Sequence, residues 1–342
     1  MQKTAFVTGA AGQLGSALIE KLLSEGYQIT AFILPHHDDT LLKSYEGKGV
    51  EKIIKADITN PVSLLNQIPQ GAIVFHCYSL SPGANQTEEI YQQSNVQGTK
   101  NVLEAAKKAN ASKFIYTSSC SVIGPKATPT HSISETDVAD PNEPYGRSKH
   151  DAETEINKWH QETKIPTAIC RIFPLYGPRA HINSTPVRLM KLIQKKRFYM
   201  IGDGNNTYEF CFSRNAADGV ALAAQKITNG IQTYNTSEPI RRSYNEVIFE
   251  IAKHVNPQVK IVRIPPTLAK IIGHGGEFAF KVFRKRTITR LRTVEGLLGG
   301  WTSNCTKEVT ELGYTQKYTL EQGVEELVSW AKNKGLLDTI EK

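Results

Sequence analysis

The N-terminal half of the chain alternates short apolar runs with longer stretches in which apolar residues recur every three or four positions. The short runs predict strands at Thr4 to Thr8, Ile29 to Leu34, Ile53 to Ala56, Ile73 to Cys77, Phe114 to Thr117 and Thr167 to Ile172. The longer stretches predict helices at Leu14 to Leu23, Pro61 to Gln67, Glu88 to Asn110 and Tyr145 to Thr163. Strands that alternate with helices predict a parallel sheet covered by helices on both faces.

The pattern changes after Gly177, where a proline-rich loop interrupts the alternation. A strand is predicted at Tyr208 to Phe212, helices at Asn215 to Lys226, Tyr244 to His254 and Leu320 to Ala331, and an aromatic and basic segment at Thr267 to Arg292. We therefore expect an α/β fold in two parts. Residues 1–178 would form a doubly wound parallel sheet, and residues 179–342 a smaller α/β lobe that binds substrate and returns some segments to the sheet.

A glycine-rich turn joins the first predicted strand to the first predicted helix. Thr8 to Gly15 reads TGAAGQLG, a spacing that lets a strand turn tightly, a backbone approach a pyrophosphate and a helix pack closely on the sheet. The free N–H groups at the start of the helix then face the phosphates. An ordinary strand-to-helix turn is the alternative. The position between a strand and a helix favours a Rossmann-type site for NAD or NADP.

The residues that usually distinguish NAD from NADP are absent. An acid at the end of the second strand accepts a ribose hydroxyl of NAD, and an arginine accommodates the phosphate of NADP, whereas this chain has Ile33 and Leu34. His36 and His37 follow, either as contacts to that phosphate or as solvated loop residues. Asp57 follows the third strand, either as the acceptor for an adenine amino group or as a cap for the next predicted helix.

A tyrosine and a lysine lie four residues apart at the start of a predicted helix. Tyr145 and Lys149 therefore share one helix face, with Cβ atoms about 5–6 Å apart. A phenol has an ordinary pKa of about 10, but an adjacent ammonium and a cationic nicotinamide ring favour the phenolate. Tyr145 can then exchange a proton with an alcohol oxygen as hydride moves. The preceding strand ends at Ser118 and Ser119, and a hydroxyl there, Ser119 in preference, can hold the substrate oxygen.

Six motifs occur in the order that is typical of one enzyme family. They are TGAAGQLG, Asp57-Ile58, VFH at Val74 to His76, SNVQGTKNVLEAA at Ser94 to Ala106, YTSS at Tyr116 to Ser119 and YGRSK at Tyr145 to Lys149. Together they resemble the successive motifs of the extended short-chain dehydrogenases/reductases, the superfamily of NAD-dependent epimerases and dehydratases. The resemblance covers the N-terminal half of the chain and implies an enzyme that uses NAD or NADP.

The resemblance also implies roles for individual residues. Ser119, Tyr145 and Lys149 would form the catalytic triad, supported by Asn95, with Lys149 also holding the nicotinamide ribose. The cofactor contacts that it implies come from Gly9, Gly12, Gln13, Leu14, Gly15, Asp57, Ile58, Tyr78, Ser118, Tyr145, Lys149 and Pro174. The family usually has small residues after the histidine of the fourth strand, so Tyr78 is expected to crowd or stack near the cofactor. A homodimer through the helices predicted at 88–110 and 145–163 is implied as well.

The family divides between sugar-nucleotide epimerases or dehydratases and dehydrogenases or reductases of steroid-like, flavonoid-like and other ketones. The first group shares an asparagine before a YGP-type turn and an arginine before a later strand, which hold a diphosphate, whereas this chain has Pro174 and Tyr208. The segment Ile201 to Gln225 is instead similar to the 3β-hydroxysteroid and sterol-carboxylate dehydrogenases. We therefore expect an oxidoreductase that interconverts a secondary alcohol and a ketone on a non-nucleotide small molecule. A sugar-nucleotide epimerase or dehydratase is the alternative, and a non-catalytic redox sensor is disfavoured because the whole triad is present.

Composition changes this picture little. Lysine and arginine outnumber aspartate and glutamate by 41 to 33, and the densest basic cluster, Lys281 to Arg292, favours a solvated helix face over a docking patch. No nucleic-acid partner is expected, and a peripheral membrane contact through residues 278–292 is the weaker interpretation. The five cysteines are scattered without metal-binding spacing, so we expect reduced thiols and no metal site. The N-terminal sequence predicts no cleaved or membrane-spanning segment, and a cytoplasmic location is expected.

Overall fold

The strands and helices follow the alternation that the sequence predicts. The computed structural model describes residues 2–82, 86–124, 131–207, 209–283 and 302–337, without the side chains of residues 275–283. The strands are β1 (Thr4–Thr8), β2 (Gln28–Ile33), β3 (Val50–Lys55), β4 (Ile73–His76), β5 (Lys113–Ser119), β6 (Thr167–Ile172), β7 (Leu175–Tyr176), β8 (Arg197–Ile201), β9 (Cys211–Phe212), β10 (Ile231–Thr236) and β11 (Lys260–Ile264). The helices are α1 (Gln13–Ser24), α2 (Thr40–Lys43), α3 (Glu88–Tyr91), α4 (Gly98–Lys108), α5 (Pro144–Thr163), α6 (Thr185–Ile193), α7 (Ser213–Lys226), α8 (Tyr244–Val255), α9 (Pro266–Phe283), α10 (Thr306–Leu312) and α11 (Leu320–Asn333).

The largest sheet has seven parallel strands in the spatial order β10, β6, β5, β4, β1, β2, β3. Its order reverses between β1 and β4, whose carboxyl ends lie side by side with Thr8 opposite His76. Central strands are continuous apolar runs because both faces are covered, and Ala5, Phe6 and Val7 are fully buried. In open sheets of this kind ligands bind at the point where the order reverses.

Helices cover both faces of the sheet. On one face α1 and α7 contribute Leu18 and Val220 to a buried cluster. On the other face α4 and α5 contribute Val102 and Ile156 to a second cluster. The predicted α/β fold with a doubly wound parallel sheet is confirmed.

The seventh strand was not predicted from the sequence. Strand β10 pairs with β6 from Ile231 opposite Thr167 to Thr236 opposite Ile172. Its sequence, IQTYNT, contains only two apolar residues, because the strand lies at the edge of the sheet and its fully buried Asn235 is hydrogen-bonded to Glu135 and Ile133. Edge position also explains β3, which begins at Val50, before the apolar run that predicted it at Ile53.

The helix predicted at Pro61 to Gln67 is wrong beyond its first turn. Only a 3₁₀ turn forms, Pro61–Leu64, with Asn60 capping it by accepting from the backbone of Val62. Leu65 is extended and Asn66 has a φ of 56°, so the chain leaves the helical region at once. Single turns of 3₁₀ helix are common as connectors.

The helix predicted at Glu88 to Asn110 is interrupted. A π-helical turn, Gln92–Gln97, separates α3 from α4, and the helix ends at Lys108 because Asn110 adopts a left-handed φ of 44°. Such π turns inside helices are rare and often occur at functional sites. This one contains Asn95.

The C-terminal lobe has its own apolar core. Helices α6, α8 and α11 contribute Met190, Ile248 and Leu327 to it. Strands β8 and β11 pair in parallel beside this core, while β9, the observed part of the strand predicted at Tyr208 to Phe212, pairs with β7. Tyr208 and residues 284–292 of the basic segment lie outside the described residues. Within the described part of the chain, none of the helices has the length and apolar character to span a bilayer.

Candidate functional site

The glycine loop forms a tight turn at the point where the strand order reverses. Gly9 has a φ of 66°, and a Cβ there would lie 2.8 Å from the backbone of Tyr78. The N–H of Gly12 donates to the carbonyl of Gly9 at 2.9 Å, and a Cβ on Gly15 would collide with the same carbonyl. Glycine is therefore required at positions 9 and 15 by the fold itself, whatever the loop binds.

The start of α1 is open to a ligand. Gly12 is the N-cap and offers no side chain to the first N–H groups of the helix. Gln13, next in sequence, donates to the carbonyl of Gly177 at 3.3 Å, and the side chain of Leu14 is buried in the core. Uncapped N–H groups and the positive end of the helix dipole suit an anion, so these residues fit a pyrophosphate.

A buried hydrogen-bond chain links the loop to the neighbouring strands. The N–H of Tyr78 donates to the Thr8 hydroxyl, which lies 2.7 Å from Nδ1 of His76. Nε2 of His76 lies 2.9 Å from the Thr99 hydroxyl, which donates to the carbonyl of Asn95. Burial, with the charge of Lys149, lowers the pKa of His76 to about 3. The ring is therefore neutral, and the chain of donors assigns its proton to Nε2.

The residues predicted around the adenine lie at the ends of β3 and β4. Asp57 is exposed and accepts from the backbone N–H and hydroxyl of Thr59, both at 2.9 Å, so it does not cap the following turn. Ile58 is fully buried, and a Cβ on Gly98 would lie 3.1 Å from it. The Tyr78 phenol bonds to the Ser94 hydroxyl at 2.7 Å, and burial raises the pKa of Tyr78.

The second strand ends without a charged group for the ribose. Ile33 is buried and Leu34 is half-buried. His36 is exposed, and His37 lies edge-on to it with ring centroids 4.8 Å apart. The nearby acid Asp39 is paired with Lys43 and with Lys55, which lies opposite Ile33 at the end of the strand.

Tyr145 opens α5 beside the end of β5. Its ring lies edge-on to Tyr91, with centroids 6.0 Å apart. Burial raises the pKa of Tyr145 to about 12, opposed by the hydroxyl contacts of Ser119 and Ser79. The structure therefore brings Tyr145 and Ser119 together, as the sequence predicts, and adds Ser79, which the sequence interpretation missed. At neutral pH the phenol carries its proton.

Lys149 is buried one helical turn after Tyr145. Its Nζ donates to the carbonyl of Thr117 at 2.8 Å and lies 4.1 Å from the centre of the Tyr116 ring. Burial lowers the pKa of Lys149 to about 7, opposed by the charge of Glu153. An ammonium with a pKa near neutrality changes its charge readily when a ligand arrives.

The hydroxyls of Ser118 and Ser119 have different partners. The Ser118 hydroxyl donates to Glu153 at 2.6 Å, whereas the Ser119 hydroxyl accepts from the backbone of Ser121 at 3.1 Å. Glu153 is held in turn by Arg171 at 2.8 Å in a buried ion pair. The side chain of Ser118 is thus committed to this pair, and its predicted cofactor contact stays a prediction. Glu153 was missed, although its spacing of four from Lys149 was visible in the sequence.

Asn95 holds neighbouring elements in place. Its side chain accepts from the backbone of Leu80 at 2.7 Å and donates to the Ser148 hydroxyl at 2.9 Å on α5. It thereby fixes the strand-end loop that carries Ser79 against the helix that carries Tyr145. Pro174 lies after β6, and its carbonyl accepts from Cys211 at 2.8 Å. Its side chain has no hydrogen-bonding group.

All five cysteines are free thiols, as the sequence predicts. Cys77 and Cys120 lie next to the site, and burial raises the pKa of both to about 12. Both thiols are therefore protonated at neutral pH, which makes them poor nucleophiles.

The chain is similar to proteins of known activity. Residues 5–236 match the NAD dependent epimerase/dehydratase family. The sterol-4-alpha-carboxylate 3-dehydrogenase (decarboxylating) of Candida albicans is 26% identical over 96% of this chain and 97% of its own length. The UDP-N-acetyl-alpha-D-glucosaminuronate decarboxylase of Bacillus cytotoxicus is 28% identical over 96% of this chain and 98% of its own.

Solved structures show the same fold. The UDP-glucuronic acid 4-epimerase of Bacillus cereus, crystallised with NAD, superposes with a TM-score of 0.73 at 24% identity over 97% of this chain and 99% of that one. The relatives are dehydrogenases, epimerases and decarboxylases that share a cofactor and differ in substrate. The open glycine loop agrees with that cofactor, and the match over more than half of the chain decides the family. The chain belongs to the NAD-dependent epimerase/dehydratase family.

Proposed function

We propose that the protein is an NAD-dependent dehydrogenase or reductase that interconverts a secondary alcohol and a ketone on a non-nucleotide substrate. The convergence of Tyr145, Ser119 and Lys149 beside the open start of α1 carries the proposal. NAD held there would accept or return the hydride at the substrate carbon. The protein itself supplies the proton at the substrate oxygen and the charge that makes its transfer possible.

Tyr145 is the proposed general acid and base. Its pKa of about 12 keeps the phenol protonated, so it is ready to give a proton to a ketone oxygen. Oxidation of an alcohol needs the phenolate instead, and a charged Lys149 one turn away stabilises it. The Ser119 hydroxyl lies beside the phenol and holds the same substrate oxygen by a hydrogen bond.

Lys149 and its neighbours keep this arrangement rigid. The buried pair of Glu153 and Arg171 keeps a negative charge one turn from the ammonium, which favours its charged form. Asn95 ties the loop that carries Ser79 to α5. Such positioning reduces the reorganisation that the reaction requires.

Pro174 and the nearby arginines favour a substrate without a diphosphate. Pro174 offers no side-chain donor at the border of the site. Arg179 is paired with Glu20 at 2.9 Å, and Arg242 with Glu246 at 3.2 Å, so both are partly neutralised. A 3β-hydroxysteroid-like or other hydroxy or keto compound suits these surroundings, in keeping with the name of the Candida albicans relative.

A sugar-nucleotide epimerase or dehydratase is the second candidate. Its support is the exposed side chains of Arg188 and Arg241, whose positive charge suits a diphosphate, and the UDP-sugar relatives. Such enzymes must hold their substrate through an oxidised intermediate, which requires charge-assisted bonds far from the reacting carbon.

One experiment separates the two candidates. Purified protein is screened with ketones and alcohols against NADH, NADPH, NAD and NADP, followed by nicotinamide absorbance, and with UDP-, GDP- and dTDP-sugars, followed by melting temperature and product analysis. We expect stoichiometric cofactor oxidation by an uncharged or singly charged ketone. Thermal stabilisation by a nucleotide sugar, with product formed and no net change in absorbance, would establish the second candidate instead.

A homodimer is part of the same proposal. The helical stretch 88–108 and α5 lie side by side, joined by the pair Lys100 and Glu155, and Ile90 on this face is 44% exposed. Sedimentation velocity of the parent and of Ile90→Glu tests it, with a shift from dimer to monomer expected for the variant. The dimer proposal is wrong if the parent and Ile90→Glu both sediment as monomers.

A further inference from the structure

Two paired segments of the lobe form a continuous piece of surface. Strand β8 pairs with β11 so that Arg197 lies opposite Lys260 and Tyr199 opposite Val262, and α9 follows β11 after one proline. We call residues 195–199 and 260–274 the β11–α9 surface. Tyr199 is 56% exposed and Val262 is 36% exposed, so a directly paired aromatic and β-branched couple faces outward.

The first turns of α9 reverse the usual orientation of a helix in a globular protein. Leu268, Ile271 and Ile272, at helical spacing, are 48%, 68% and 42% exposed. Ala269 and Gly273, one turn apart, are the buried positions. A surface helix normally buries its large apolar side chains and exposes polar ones. Here the large side chains are outside, which marks a surface that something else covers.

The apolar side chains of this surface are surrounded by positive charges, which distinguishes it from a typical interface between identical chains. The two segments contain the exposed cations Lys195, Lys196, Arg197, Lys260, Arg263 and Lys270 and no aspartate or glutamate. None of the six forms an ion pair within the described part of the chain. Arg263 donates to the backbone carbonyl of Asp203 instead. The other five cations are therefore free to meet an external anionic partner.

We propose that the β11–α9 surface docks on an anionic lipid bilayer. The exposed aliphatic and aromatic side chains would enter the headgroup boundary, while the cations around them meet lipid phosphates. A second copy of the chain would bring two sets of six cations together, which disfavours that occupant. A nucleic acid would neutralise the cations but leave the aliphatic side chains without partners.

Vesicle co-sedimentation of the full chain tests this proposal without requiring turnover. The vesicles are pure phosphatidylcholine, or an equimolar mixture of phosphatidylcholine and phosphatidylglycerol. The apolar variant is Leu268→Ser with Ile271→Ser. Its matched control is Leu65→Ser with Val62→Ser, because those residues have the same spacing, are 47% and 66% exposed and lie outside the β11–α9 surface.

The cations are tested in the same assay. The charge variant is Lys195→Gln with Lys196→Gln and Lys270→Gln, and its control is the exposed set Lys48→Gln, Lys164→Gln and Lys226→Gln. Each variant carries three fewer charges, so the net charge of the protein is the same in both. Circular dichroism and melting temperature establish that all variants fold.

We expect the parent and both controls to bind the anionic vesicles in a salt-sensitive way and to bind neutral vesicles at least tenfold more weakly. The apolar and charge variants should each lose at least tenfold in partitioning. Absence of parental binding, equal binding by either variant, or equal loss by its control would overturn the proposal. So would a change from dimer to monomer in the apolar variant with unchanged vesicle binding, because the surface would then be an interface between copies.

Discussion

The carboxyl ends of the central strands and the segments around the end of β10 bury different titratable groups. At the edge, both ring nitrogens of His76 have partners and Lys149 donates to a backbone carbonyl. In the C-terminal half, Glu209, Glu238 and Glu308 are buried carboxyl groups, and burial raises the pKa of each. Glu209 and Glu238 border a cavity of about 280 Å³.

We relate this difference to the role that is proposed for each region. The edge is the proposed cofactor site, and the hydrogen bonds of His76 and Lys149 set its geometry before binding. The C-terminal half buries acids, whose contribution to stability falls as pH rises, whereas the buried His76 and Lys149 make a contribution of the opposite sign. The comparison predicts that changes at the edge affect chemistry and cofactor, whereas changes in the C-terminal half affect stability.

The largest effect is expected from Lys149→Ala. The variant loses the cation that favours the phenolate and also the proposed ribose contact. Turnover should fall by more than in any other variant, and NAD should bind more weakly in calorimetric titration. If Lys149→Ala binds NAD as well as the parent, the second of these roles is wrong.

Tyr145→Phe should come next. Loss of the proton donor should lower kcat by at least about a hundredfold, the lower end of general acid–base contributions. The affinity for NAD should stay nearly unchanged, because the ring itself remains. Tyr91→Phe is the matched control, since Tyr91 is buried against the same ring and has no proposed proton role. Similar turnover in the two variants would refute the assignment of Tyr145.

Gly12→Val tests the open end of α1. The added side chain would stand between the backbone and a pyrophosphate, so the Kd for NAD should rise more than tenfold, or about 1.4 kcal/mol. A Cβ at Gly12 would lie 3.1 Å from the carbonyl of Gly9, so Gly12→Ala should fold with a smaller loss of affinity. If calorimetry finds the same Kd for NAD in Gly12→Val as in the parent, the loop is only a structural turn.

Glu308→Gln tests whether a buried carboxyl group of the C-terminal half makes the stability of the protein depend on pH. Glu308 is fully buried, and burial raises its pKa from 4.5 to about 8, opposed by Thr236 and Ser237. Between these values Glu308 holds its proton in the folded protein and loses it in the unfolded one, so the contribution of this group to stability falls as pH rises from about 4.5 to 8. This pKa shift changes the free energy of unfolding by at most about 5 kcal/mol.

Urea unfolding at pH 5 and pH 8.5 measures this effect. Glu308→Gln should weaken the fall in stability over this range, whereas Glu325→Gln, at an exposed position of α11, should leave it unchanged. The same pH dependence in all three proteins would show that Glu308 does not carry it.

The sequence alone determined the fold and the family, and it predicted the residues of the proposed cofactor site. Glycine spacing, the tyrosine and lysine one turn apart, and the alternation of strands and helices are local patterns, and each needs only nearby residues to be interpreted. The same local logic failed at Pro61 to Gln67, where Asn66 turns the backbone out of the helix.

Only the tertiary structure decided the remaining features. In β5 both faces are buried, so the sequence, which favoured Ser119 beside Tyr145, did not show that Ser118 is bonded to Glu153. The polar strand β10 is recognisable only beside β6. The outward face of α9 depends on what the rest of the chain leaves uncovered. Burial and pairing between distant segments decide these features, and they are properties of the folded chain rather than of any one segment.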